Sequence, residues 1–300
     1  MIIAAMRKLH WAHSAEQLAP SPGIARDAAR SGERLRHHYE VEKALAARLR
    51  AAPREQRLHM LTGMYEELFR EVPDHPRATR KQAPQESRRA VMRQMKFLRR
   101  FLRPDMTVLE IGPGDCAFGF ELAKSVRQVY GVDVDAVLSH NLEPPANFRL
   151  FFSDGVSVPV PAGSVDLAYS NQLMEHLHPD DAREQLRNIF AALAPGGAYV
   201  CLTPNRLNGP HDISRAFSEH AEGFHLKEYT VSELQTLFLA TGFRHVAGYA
   251  KTRELWFRVP VGLIRALEAL LHRMPARQRR AIAGRWPLRQ LLNAALVVTR

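Results

Sequence analysis

The spacing of apolar residues changes near residue 104. Before it, Leu35, Tyr39, Val41, Leu45 and Leu49, then Leu58, Leu61, Tyr65, Leu68 and Phe69, recur at steps of three and four. That spacing puts them on one side of a helix. Pro53 interrupts the run, so two helices are predicted within 33–70. "EVPDHP" at 71–76 reads as a loop. A third helix over about 84–102 carries Val91, Met95, Leu98 and Leu102 on one face, with Arg88, Arg89, Arg93, Arg99 and Arg100 largely on others. Residues 1–32 show no period, contain Pro20, Pro22, Gly23 and Gly32, and read as a loose leader.

After Pro104 the apolar residues gather into short runs separated by helical patterns. Strands are predicted at 107–111, 128–132, 148–153, 165–170, 198–203 and 244–250. Helices are predicted at 117–126, near 135–140, at 180–193 and at 231–241. Alternating elements of this kind build a parallel sheet covered on both faces. "PGG" at 195–197 and "TGF" at 241–243 mark helix exits. The last run, "NAALVVTR" at 293–300, has strand character. Two helical patterns, 255–272 and 276–292, precede it.

Composition adds limits. Of 300 residues, 46% are hydrophobic and 24% charged, the profile of a soluble globular chain. No run approaches the ~18 apolar residues of a membrane span. The apolar patch at the start precedes its charges and no cleavage site follows, so no signal peptide is expected. Cys116 and Cys201 lack CxxC spacing, which fits a reduced, cytoplasmic protein better than a disulfide framework. The net charge of +11 is uneven. Residues 1–103 carry 22 Lys+Arg against 11 Asp+Glu, residues 104–251 carry 10 against 18, and residues 252–300 carry 10 against 2. An acidic centre between basic flanks suggests a catalytic core whose additions face an anionic partner.

The chemistry begins at "VLEIGPGDCAFGF", where a strand runs into a glycine turn. Gly112 and Gly114 let a ligand approach the backbone. The third glycine of a dinucleotide turn is absent: Ala117 and Phe118 stand there. Glu110 and Asp115 would repel a pyrophosphate and suit a ligand bearing an ammonium group. The second strand ends in Asp133, placed to take both hydroxyls of a ribose. The third ends in Asp154-Gly155, which offers an acceptor for an adenine amino group and a backbone N–H for a ring nitrogen. The fourth ends in Ser170-Asn171. The implied ligand has adenine and ribose, no phosphate, and positive charge; S-adenosylmethionine has these properties.

With these segments the sequence resembles the class I S-adenosylmethionine-dependent methyltransferases. VLEIGPGD, VYGVDVD, FSDG, SVDLAYSNQLMEHL, LAPGGAYVCLTPN and TGF stand in that family's order and spacing over about 104–250. The resemblance implies a Rossmann-like α/β fold: a seven-stranded sheet with helices on both faces and the last strand antiparallel between its neighbours. Residues 104–300 would form the methyltransferase domain, 33–103 a helical N-terminal extension, and 252–292 a basic helical insertion before the last strand. By the same resemblance Glu110, Gly112 and Gly114 line the methionine end, Asp133 holds the ribose, Asp154 and Gly155 the adenine, and Asn171 lies near the sulfonium.

If the acceptor is a hydroxyl, a base must take its proton, and histidine is the usual choice. His176 and His178 in "MEHLHPDD", His211 and Asp212 in "NGPHDISRAF", and His225, Lys227 and Glu228 in "GFHLKEYT" follow the fourth and fifth strands. His176, His211 and His225 are the catalytic candidates. Glu175, His176 and His178 with His211 do not have the spacing of a recognised metal set, and no metal is expected. "NGPHDISRAF" and "VPDHP" resemble loops of methyltransferases in bacterial surface-glycan and lipid-linked pathways, which implies a small-molecule, glycan or lipid-linked acceptor. Trp256, Phe257, Leu263 and Leu270, interleaved with Arg258, Arg265 and Arg273, suit either a lid or an anionic membrane surface at the inner face of the membrane. The basic flanks lack aromatic or glycine interleaving, so nucleic acid is not the expected partner. A nicotinamide-dependent oxidoreductase and a non-catalytic module binding a nucleoside or a membrane are the alternatives.

Overall fold

Successive residues of a strand face opposite sides. Here Val108 lies in one apolar core with Leu167, Tyr169, Val200 and Val297, while Leu109 and Ile111 lie in another with Ala168 and Tyr199. A sheet buried on both faces separates the two. The structure is a computed structural model describing residues 30–76, 84–134, 143–252 and 255–300; the helix expected near 135–140 and most of the expected leader lie outside them. Its strands are β1 (Thr107–Ile111), β2 (Gln128–Asp133), β3 (Phe148–Phe152), β4 (Val165–Asn171), β5 (Leu193–Leu202), β6 (Arg244–Thr252), β7 (Leu255–Val259) and β8 (Ala295–Thr299). They lie in the order β3-β2-β1-β4-β5-β8-β6-β7. β1 to β5 are parallel, and β8 runs antiparallel between β5 and β6.

Eight strands stand where seven were expected. The added one is β7, which pairs antiparallel with β6 at the sheet edge. The expected helix over 255–272 is therefore a strand followed by a shorter helix. Trp256, grouped with Phe257 as part of either a lid or a membrane-facing surface, stacks on Phe97 at 4.2 Å. Side-chain alternation in a strand sends one neighbour inward and leaves Phe257 43% exposed.

The described helices are α1 (Gly32–Ala51), α2 (Arg54–Glu71), α3 (Pro84–Leu98), α4 (Ala117–Ala123), α5 (Pro179–Ala192), α6 (Val231–Thr241), α7 (Val261–His272), α8 (Ala276–Ala283) and α9 (Leu288–Leu292). Residues of α3 and α4 cover one face of the sheet; residues of α5, α6, α7 and α9 cover the other. Local chemistry sets the ends. His178 caps α5 and Pro179 opens it. Thr230 and Glu233 form a reciprocal capping box on α6, and Gly242, at φ 109°, ends it.

α1 and α2 form a third, smaller core of Leu45, Ala46, Leu49, Met64, Leu68 and Val72. Phe224, from the long loop after β5, completes it. Arg57 of α2 makes a bidentate pair with Asp181 of α5, at 2.8 and 2.7 Å, with both side chains buried. The helical extension is thus fastened to the sheet layer and to the loop at its carboxyl edge.

Candidate active site

The carboxyl ends of β1, β2 and β4 meet at one edge, where an open parallel sheet receives its ligands. The glycine turn after β1 is built by backbone that side chains disfavour: Gly112 has φ 71° and Gly114 φ 56°. A Cβ on Gly112 would also stand 3.1 Å from Leu173. Gly112 N–H donates to Val132 O at 2.8 Å, and Gly114 N–H to Asp133 Oδ2 at 2.8 Å. Asp133 Oδ1 accepts from Val134 N–H at 2.7 Å. The turn is therefore held against the end of β2.

Glu110 is buried in β1, and its Oε2 has no hydrogen-bond partner. Burial pushes its carboxyl up to about 8, and the charges of Asp115 and Asp133 push the same way. Three acids thus converge on one point. α4 comes this close because Gly119 has no side chain: a Cβ there would stand 2.7 Å from Glu110 Oε2 and 2.5 Å from Phe148.

Asp154 orients its own loop. Its oxygens accept from Val156 N–H (2.9 Å), Ser157 N–H (2.6 Å) and Ser157 Oγ (3.0 Å). A carboxylate offers about four acceptor positions, so capacity remains. Gly155, at φ 84°, is fixed by Gln185, whose Nε2 donates to its carbonyl at 2.6 Å. Asn171 closes β4, half-buried and in register with Leu202.

Beyond β4 and β5 the histidines divide. His176 Nδ1 lies 3.0 Å from Phe224 O. A carbonyl only accepts, so Nδ1 carries a proton. The His176 ring packs edge-on against His225, centroids 4.9 Å apart. His225 Nδ1 pairs with Glu228 Oε1 at 2.7 Å. Burial disfavours its charged ring, but the Glu228 hydrogen bond and the charges of Glu175, Glu228 and Asp212 prevail and hold it up to about 9. His211 meets the group only through its backbone N–H, which donates to Glu228 Oε1 at 2.6 Å; its Nε2 donates to Asn205 O (3.1 Å) and Asn208 Oδ1 (2.8 Å), and burial lowers its pKa. His178 is spent as the α5 cap.

Glu175 is buried beside these rings. Its Oε2 accepts from Thr203 Oγ1 at 2.8 Å, while Oε1 is buried without a partner. Glu175, His176 and His225 each place a ligating atom within 4.8 Å of the others; His178 and His211 do not belong to the group. His38, Glu42 and His75 form a second such group. There Arg30 donates to His38 Nδ1 at 2.8 Å, so His38 Nε2 carries the proton it gives to Glu42, and the group is a hydrogen-bonded knot.

Contributions from the N-terminal helices were missed in the sequence. Arg50 of α1 donates to the carbonyls of Ala221, Glu222, Gly223 and His225. Glu42 accepts from Phe224 N–H at 3.3 Å, and Tyr39 stacks on Phe217 at 4.7 Å and bonds Glu222. No motif flags such contacts, because the partners lie more than 170 residues apart. Glu228 was legible beside His225 at a three-residue step. The same loop, with α8, encloses a cavity of about 420 Å³ that His225 and Glu228 border.

Comparison with known proteins bears on the family and the fold. A family model described as a methyltransferase domain matches residues 80–247. A probable S-adenosylmethionine-dependent methyltransferase of Mycolicibacterium smegmatis is 31% identical over 138 residues, which cover 45% of this chain and 51% of that one. A protein of the same description from Mycobacterium tuberculosis is 32% identical over 142 residues, covering 47% and 49%. The chain thus spans about half the length of these curated relatives. Among solved structures, a chain of the complex between the Haloferax volcanii Trm112 methyltransferase activator and the putative methyltransferase superposes with a TM-score of 0.52 at 18% identity, covering 74% of this chain and 94% of that one. That likeness concerns the fold alone.

Proposed function

The chain belongs to the methyltransferase domain family, and from that premise we propose that it is an S-adenosylmethionine-dependent methyltransferase acting on a hydroxyl of a small-molecule, glycan or lipid-linked acceptor. The observation that carries the cofactor is the unpartnered carboxylate oxygen of Glu110, with Asp115 and Asp133 raising the cost of its charge. Such a site favours a cation and disfavours the pyrophosphate of a nicotinamide dinucleotide. Glu110 and the Gly112–Gly114 turn would hold the methionine end, Asp133 the ribose hydroxyls, Asp154 and Gly155 the adenine, and Asn171 the region of the sulfonium.

S-adenosylmethionine supplies a methyl group already activated by the positive sulfur. The protein aligns the acceptor, excludes water and removes a proton. His176 is the proton acceptor in this reading, because its Nδ1 is fixed on the Phe224 carbonyl and its ring packs against His225, which borders the cavity. His225 is not the base: held up to about 9, it is an imidazolium at neutral pH. It orients the neighbouring ring and offsets the charge of Glu175, Glu228 and Asp212. His211 fixes the loop through Asn205 and Asn208. Location at an anionic membrane surface is the corresponding reading of the insertion, whose Leu263, Leu270, Ile282 and Trp286 are exposed among arginines.

Calorimetry with S-adenosylmethionine and S-adenosylhomocysteine tests the reading. Saturable binding that Asp133→Ala abolishes is expected, together with transfer of labelled methyl to an extract fraction. His176→Gln should remove transfer and spare binding. Absence of binding by both compounds would overturn the proposal.

A further inference from the structure

The cavity between the 206–228 loop and α8 is lined by an excess of cations. Arg206, Lys227, Arg277, Arg279 and Arg280 face it, with Glu219, Glu228 and Glu233. Two of the acids are engaged. Glu228 pairs with His225 at 2.7 Å. Glu233 pairs with Arg206 at 3.0 Å and closes the capping box at Thr230. That leaves Lys227 and three arginines of one helix against Glu219.

Two further observations favour an anion at this cavity. Arg279 Nε is buried without a hydrogen-bond partner, a donor with nothing to receive it. Arg215, whose carbonyl accepts from Arg280 Nη2 at 2.9 Å, has its pKa lowered first by burial and then by the charges of Arg280 and Arg289. Like charges are therefore crowded here in partly desolvated ground. The first turn of α8 also faces the cavity through Ala276 and Arg277. Pro275 caps it without a side-chain hydrogen bond, so the helix end presents backbone donors and the positive end of its dipole.

We infer that this cavity is the acceptor subsite and receives a phosphate group of the acceptor, bound by Arg277, Arg279 and Arg280 of α8. The assignment rests on the methyltransferase reading above and deepens it to a phosphate-bearing acceptor. Guanidinium groups match phosphate oxygens in pairs, and none of the acids Glu110, Asp115 and Asp133 lines this cavity. The two ligands are thus sorted by sign: the cation at the glycine turn, the anion at α8. His225 borders the anion cavity and packs on His176, so an acceptor seated there would extend toward the proposed base. A cavity of about 420 Å³ accommodates a sugar phosphate or the head of a lipid-linked one.

Calorimetric titration of the full chain with inorganic pyrophosphate tests this, with S-adenosylhomocysteine as the parallel ligand. One saturable pyrophosphate site is expected, weakened about tenfold or more by Arg279→Gln and by Arg277→Gln. S-adenosylhomocysteine should bind these variants as it binds the parent, which also shows that they fold. Displacement of pyrophosphate by phosphatidylglycerol vesicles, and not by phosphatidylcholine vesicles, would assign the phosphate to a lipid-borne acceptor; no displacement would assign it to a soluble one. Pyrophosphate binding that is absent, or unchanged in both variants, overturns the inference, as does vesicle binding without pyrophosphate binding. Loss of S-adenosylhomocysteine binding by the parent would instead strike the methyltransferase reading, so the two failures are distinct.

Discussion

Glu110 shows how one residue can serve both strand and ligand. Its place in β1 is apolar by pattern, yet it carries an acid that burial and two neighbouring acids keep protonated up to about pH 8. Between about 4.5 and 8 the folded protein keeps a proton there that the unfolded chain has released. This group's contribution to stability is therefore lost as pH rises through that window. The cofactor-free protein should lose thermal stability from pH 6 to pH 8 more steeply than Glu110→Gln. Binding of S-adenosylmethionine near pH 7 should release up to one proton, read by calorimetry in buffers of different ionisation enthalpy, and none from Glu110→Gln. A pH-independent affinity with no proton release would sink this account. Gly119 belongs to the same argument. The sequence marks Ala117 as the missing third glycine, but the close helix approach is achieved two residues later, where a side chain would strike Glu110 and Phe148. The residue pattern shows that a glycine is present; only the packing shows what it makes room for.

Among the elements, the insertion is the one whose character changed. Periodicity marked α7 and α8 but ran β7 into the first helix, because a short apolar run fits either state until a partner edge is known. β6 supplies that edge. The insertion is also tied to the loop it covers. Glu268 of α7, buried, accepts from Val231 N–H (2.6 Å) and Ser232 N–H (2.9 Å) at the start of α6, from Ser232 Oγ (2.6 Å), and from Asn205 Nδ2 (2.7 Å). An anion at a helix N-terminus satisfies donors that otherwise lack partners. Glu268→Ala leaves several of them buried and unpaired and should cost about 3 kcal/mol in urea unfolding, from hydrogen bonds to a charged group worth about 1.5–3 kcal/mol each. A cost below about 0.5 kcal/mol, the scale of an ordinary surface substitution, would show that the contact does not hold the insertion in place.

At the scale of the molecule, helices from one end of the chain and an insertion near the other grip the same loop. Arg50 anchors it from one side and Glu268 from the other, so the loop that borders the cavity is held by elements outside the sheet. The exposed Leu263, Leu270, Ile282 and Trp286 lie on the outer surface of that insertion. If they meet a membrane, the protein should sediment with phosphatidylglycerol vesicles, weaken on Trp286→Ala with Leu270→Ala, and leave the vesicles at about 1 M salt, where charges are screened beyond about 3 Å. Sedimentation equal on neutral vesicles would reject the electrostatic attraction. Among the described residues no helix is long and apolar enough to cross a membrane. By itself the sequence determined the alternating core, its strand-end acids and the order of its segments, because hydrophobic period, turn chemistry and acid placement act over a few residues. It placed the antiparallel last strand through family resemblance. The tertiary structure decided which carbonyl orients His176, which histidine is held charged, why Gly119 is a glycine and which arginines face a cavity. Those properties depend on burial and on charges brought together from distant segments, and local pattern does not encode them.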